Sequence, residues 1–260
     1  MMSAVVSIGR VVPALLCALI LLVGCSTQRV SPRDLPGSTL DEARGPDENA
    51  RLYTDLIRQL IAKDRLYAAL AHLQAREQEF GVSDELRLLR ADILRKMNDY
   101  AGARALYEQL LNTPYVGQAH HGLGLVIARD DLAAGQSHLE QAVTLVPTDA
   151  RMRNDLGYAL LRQGQLAEAR LQLATAYQLD EANELNRNNY ILLLLVEGND
   201  RKAARIAADN QINAGVMRGL RQQAQTITGS TAAAITDQRP MPVREMPSQA
   251  SSPGVGGGGG

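Results

Sequence analysis

The chain has 260 residues, 45% of them hydrophobic and 21% charged, which excludes a collagenous or wholly disordered polymer. Lys and Arg total 27 against 28 Asp and Glu; a net charge of −1 cannot hold a polyanion by counterion release, so no nucleic-acid partner is expected. Trp is absent and Phe occurs once, at Phe80, which leaves Leu, Ala, Val, Ile and Tyr to build a core of closely packed helices.

Arg10 precedes the apolar run Val11 to Val23, and the run ends in Leu22-Val23-Gly24-Cys25. As a helix this run would reach only about 20 Å, short of the ~30 Å hydrocarbon core, so residues 1–24 read as a signal peptide. Leu-Val-Gly-Cys resembles the lipobox of bacterial lipoproteins. That resemblance implies cleavage before Cys25, diacylation of its sulfur and acylation of the new amino terminus. More than one chain makes such anchoring stable. Ser26, where an Asp would signal inner-membrane retention, favours the periplasmic face of the outer membrane. Cys17 lies in the discarded segment, so no disulfide, thiol nucleophile or metal site remains, and no cofactor is expected beyond the covalent lipid.

Residues 25–49 hold the acylated cysteine and a linker containing Pro32, Pro36, Pro46, Gly37 and Gly45; as a flexible coil it would span roughly 25–30 Å. Residues 228–260 contain Pro240, Pro242, Pro247, Pro253 and the run Gly256 to Gly260, and read as a disordered tail.

Residues 50–227 repeat with a period of about 33 to 34. In the unit 150–183, Asn154 to Gly164 predicts one helix and Gln165 to Leu179 a second. Leu156, Gly157, Leu160, Ala169, Leu173 and Ala176 stand at the interlocking positions of the tetratricopeptide repeat, which this unit resembles. Gly157 lets the two helices approach closely and Gly164 supplies a left-handed residue to end the first. The same phase recurs in 50–83 (Leu56, Leu60, Leu66, Ala69, Leu73), 84–116 (Ala91, Leu94, Ala103, Tyr107), 117–149 (Leu123, Gly124, Ile127, Gly135, Leu139, Ala142, with a shorter inter-helix loop) and 184–215 (Tyr190, Ile191, Leu194, Gly198, Ala203, Ala207). Residues 216–227 form a further amphipathic stretch that would cap the stack. The expected fold is all-α: a right-handed α-solenoid of about five repeats plus a C-terminal capping helix.

Arrays of this kind line a concave surface with the first helix of each repeat. Carried onto the middle and distal units, the surface positions are Gln118, His121, Leu125, Arg129, Arg151, Asn154, Tyr158, Arg162, Asn188, Leu192 and Leu195. Amide, aromatic and aliphatic groups in such a strip suit an extended peptide. The Lys and Asn set that clamps a chaperone tail is not reproduced. The run Ile191 to Val196 is apolar all round; burial between repeats and cap is favoured, with Leu192 and Leu195 as the exposed candidates otherwise.

No catalytic motif is found. The adjacent His120 and His121 diverge on a helix, His138 and His72 lack a second ligand at i+4, and Asp130-Asp131 reads as a solvated turn, so neither an enzyme nor a metal site is expected. Lipobox, linker, tandem repeats and polar tail resemble pilotin-like lipoproteins. The segment Asn154-Asp-Leu-Gly-Tyr-Ala-Leu-Leu-Arg-Gln-Gly-Gln-Leu-Ala-Glu-Ala is most similar to the TadD family of tight-adherence (Flp) pilus assembly, with type IV pilus pilotins of the PilF/PilW kind next. These resemblances imply protein partners of the cell envelope, a secretin or another pilus-assembly component, membrane contact through the lipid, and no small-molecule substrate. A lipoprotein regulating a peptidoglycan synthase or hydrolase is the alternative.

Overall fold

The computed structural model describes residues 46–237, with side chains from 51 to 229. The expected signal peptide, Cys25 and residues 238–260 lie outside the described residues. Contacts divide the chain into two units, Met1–Tyr53 and Thr54–Gly260, and the second holds the helical stack. Eleven helices and no strand occur among the described residues: α1 (Pro46–Ala62), α2 (Leu66–Phe80), α3 (Asp84–Lys96), α4 (Tyr100–Gln109), α5 (Val116–Ile127), α6 (Leu132–Leu145), α7 (Ala150–Arg162), α8 (Leu166–Leu179), α9 (Glu184–Val196), α10 (Asp200–Asp209) and α11 (Ala214–Asp237). None is long and apolar enough to cross a membrane.

Short polar side chains start most of these helices. Ser83, Asp99, Asp131, Asp149, Asn183 and Asn199 each accept a backbone N–H from the first turn. At Asp149, burial alone would raise the carboxyl pKa, but the N–H groups of Met152 and Arg151 and the Arg151 guanidinium hold it below its usual value.

Left-handed residues end the first helix of four units at one repeat position: Asp64 (φ 56°), Asn98 (φ 66°), Gly164 (φ 75°) and Gly198 (φ 72°). In each, the next residue donates its N–H back five positions, as Gln165 does to Leu160 at 3.0 Å and Asn199 to Leu194 at 2.7 Å. The chain from Gly124 to Gly135 is one residue shorter than from Gly157 to Ala169, and no left-handed residue occurs between α5 and α6; Asp131 N–H closes on Ile127 instead, at 2.9 Å.

Helices pack as consecutive pairs, each pair against the next, which gives an all-α solenoid. Close approach within a pair depends on missing side-chain atoms. A Cβ at Gly157 would lie 2.6 Å from Leu173, and one at Gly124 would lie 2.7 Å from Leu139. Ala69, Ala103, Ala169, Ala176 and Ala203 are fully buried on the facing helices.

Two boundaries differ from the sequence expectation. α1 begins at Pro46, inside the expected linker, where proline's fixed φ suits the first helical turn. α11 runs to Asp237 instead of ending at Ile227: no proline occurs between Ile227 and Pro240, and Ala232 to Ala234 favour a helix enough to offset Gly229. Met217, Leu220, Ala224 and Ile227 are its buried face, joined to the core formed by α7 and α9.

Candidate functional site

The first helices α1, α3, α5 and α7 surround a cavity of about 520 Å³. Arg58 and Ile61 line it from α1, Glu85, Leu88, Asp92, Arg95 and Lys96 from α3, Gln118 and His121 from α5, and Arg151 from α7. Beside it a smaller cleft of about 210 Å³ is floored by Leu125, Leu132, Leu139, Tyr158 and Ala159 and lined by Arg129, Arg162 and Asp155.

Hydrogen bonds tie this surface across repeats. His121 Nε2 lies 2.7 Å from Asp155 Oδ2, Asn154 donates to Asp155 Oδ1 at 3.2 Å, and Asn189 donates to Asn154 Oδ1 at 3.0 Å. The chain of contacts therefore runs from α5 through α7 to α9. On α3, Asp92 accepts from the Tyr107 hydroxyl at 2.6 Å, and Arg95 Nε donates to that same oxygen at 3.3 Å. Burial and the Asp92 charge push the Tyr107 hydroxyl well above its ordinary range, so it stays a donor. Burial would lower the Arg95 pKa, but Tyr107, Asp92 and Asp155 more than offset it, so the guanidinium keeps its charge.

The eleven residues expected to form the groove divide three ways. Gln118, His121 and Arg151 line the larger cavity; Leu125, Arg129, Tyr158 and Arg162 line the smaller cleft. Asn154 is 1% exposed and spends its amide on Asp155 and Asn189. Asn188 is half-buried. Leu192 is a correction: it is fully buried among the repeats and α11, and does not line an open surface. Leu195 is half-buried against the same core and lines a recess together with Ala224 and Gln225 of α11. Of the run Ile191 to Val196, for which burial is the favoured outcome, Ile191 to Leu194 are buried and Leu195 and Val196 are half-buried. The distal end is therefore covered by α11, whose Gln223 donates to the Tyr158 hydroxyl at 2.9 Å.

Sequence reasoning misses Glu85, Leu88, Asp92 and Arg95. Their signal is present: they hold in the second unit the repeat positions that Gln118, His121, Leu125 and Ala128 hold in the third. Spacing also keeps His120 and His138 separate. The structure sets their Nδ1 atoms 3.0 Å apart across α5 and α6, with ring centroids 5.2 Å apart. Burial, then the mutual charge at His120 and Arg104 at His138, lowers both pKa values, so the pair is neutral at pH 7. No group of three or more His, Cys, Asp or Glu able to hold a metal ion occurs among the described residues.

No family model matches the chain. It is 35% identical over 254 residues to the TPR repeat-containing protein PA4299 of Pseudomonas aeruginosa, an alignment covering 96% of both chains. The chain belongs to the tetratricopeptide-repeat proteins. Among solved tetratricopeptide-repeat structures, TTC0263 of Thermus thermophilus superposes with a TM-score of 0.55 at 20% identity, covering 68% of this chain and 98% of that one. PilF of Pseudomonas aeruginosa superposes with a TM-score of 0.54 at 16% identity, covering 75% of this chain and 93% of its own. At these identities the likeness is one of fold, and it extends to nearly the whole of both neighbours.

Proposed function

We propose that this tetratricopeptide-repeat protein is a lipid-anchored scaffold of the bacterial envelope that assists a secretin in pilus or secretion-machine assembly. The observation that carries the reading is the concave strip of α1, α3, α5 and α7: two adjoining recesses lined by side chains at ligand-facing repeat positions, on a solenoid whose far end is closed by α11. Cys25 would hold the strip near the periplasmic face of the outer membrane. The segment Asn154 to Ala169, similar to TadD, favours tight-adherence pilus assembly; the PilF-like fold is in keeping with a pilotin role. The work is recognition and localisation, which needs no catalytic group and no cofactor besides the lipid.

Replacing Cys25 with Ala and fractionating membranes for secretin multimers tests this. Multimers lost from the outer membrane, or stalled elsewhere, are the expected result; normal multimers in the outer membrane contradict it.

A further inference from the structure

The concave strip is basic although the whole chain carries a net charge of −1. The two recesses are lined by six fixed cations and three carboxylates. Each carboxylate is engaged inside the protein: Glu85 by Arg58, Asp92 by Tyr107, and Asp155 by His121 and Asn154.

Two of the cations stand apart. Arg58, Arg95, Lys96 and Arg151 each have a carboxylate within ion-pair distance. Arg129 and Arg162 have none among the described residues, are exposed, and occupy the same repeat position, Arg129 in the turn just after α5 and Arg162 at the end of α7, at one cleft. The Arg129 guanidinium carbon lies 3.6 Å from the centre of the Tyr100 ring, a contact that restrains the side chain without using its N–H groups. Between the two arginines the floor is apolar: Leu125, Leu139 and Tyr158.

We infer that this cleft takes a partner-protein segment in which one aliphatic or aromatic side chain is flanked by carboxylates. The apolar side chain enters between Leu125 and Tyr158, and the carboxylates meet Arg129 and Arg162. Planar guanidinium groups suit this pairing because they can bind carboxylate oxygens two at a time. The chain's own residues 238–260 do not complement it in charge, since that segment carries Arg239 and Arg244 against a single acidic residue, Glu245. The inference rests on the scaffold reading and specifies its ligand.

Fluorescence anisotropy tests it on the full chain, with a labelled peptide Gly-Ser-Asp-Glu-Leu-Asp-Glu-Ser-Gly and a control carrying Asn and Gln for Asp and Glu. The acidic peptide should bind at least about tenfold more tightly than the control, and each of Arg129→Gln and Arg162→Gln should weaken it about tenfold, as expected for a lost charge-assisted pair. Rising salt should weaken it further. Arg218→Gln, an exposed change on α11, should leave it unchanged. Equal binding of the two peptides, or unaltered binding by Arg129→Gln/Arg162→Gln, overturns the inference. So does binding seen only after residues 238–260 are deleted, which would give the cleft to the chain's own tail. The Cys25 experiment reads the scaffold role separately: normal Cys25-dependent secretin assembly with failed peptide binding would remove this ligand chemistry alone.

Discussion

Gln223 on α11 donates a hydrogen bond to the Tyr158 hydroxyl on α7, at 2.9 Å and across 65 positions of sequence. The contact fixes the capping helix over the distal concave face, so the open surface ends near α7. Tyr158→Phe should cost about 1 kcal/mol of unfolding free energy, and Gln223→Ala a similar amount. In a double-mutant cycle read by urea denaturation the two losses should not add. Full additivity would mean the pair contributes no joint stabilisation and that α11 is held by its apolar face alone.

Two glycines should respond with opposite signs to the same substitution. A Cβ at Gly122 on α5 would lie 2.2 Å from Tyr107 Cζ, and Tyr107 is fully buried and bonded to Asp92, so it cannot move aside. Gly122→Ala should destabilise by about 1–3 kcal/mol. Gly219, inside α11, has nothing within 4 Å of an added Cβ. Gly219→Ala should stabilise by about 0.5–1 kcal/mol, since alanine loses less backbone entropy in a helix. Urea midpoints with unchanged slopes would read both.

The neutral pairing of His120 with His138 makes repeat three sensitive to acid. Burial pushes both imidazoles below their ordinary value of 6.5, the His138 charge adding at His120 and Arg104 adding at His138, while Glu108 acts the other way. Folded histidines with lowered pKa values bind fewer protons than unfolded ones, so stability rises with pH. The contribution is full above the unfolded value and falls as pH drops below about 6.5. Urea midpoints at pH 7.5 and 5.5 should separate more for the native chain than for His120→Gln/His138→Gln.

How much of the molecule is legible in its sequence depends on the range of the interactions involved. Pair formation is legible because its determinants are local: Gly157 beside Leu173, Gly164 ending α7, and the constant phase of Ala169 and Ala176. Asp64 and Asn98 share the left-handed role of Gly164 without being glycine, which composition alone conceals. The all-round apolar run makes the burial of Ile191 to Leu194 legible, but placing Leu192 on the open strip fails because α11, more than 20 residues later, joins the same core; an amphipathic stretch at 216–227 announces a cap but not which helices it covers. The convergence of His120 and His138 likewise depends on the stagger between α5 and α6 rather than on spacing.

The strip of first helices, and not another face of the solenoid, is expected to grip a polypeptide. Photocrosslinking in cells tests it most directly, with a crosslinking residue placed singly at Leu88, Gln118 or Arg129 on the strip, and at Tyr67, Leu171 or Leu179, which are exposed on second helices. Discrete adducts from the first three positions and none from the second three are the outcome expected here. Adducts confined to Tyr67, Leu171 or Leu179 would contradict the account.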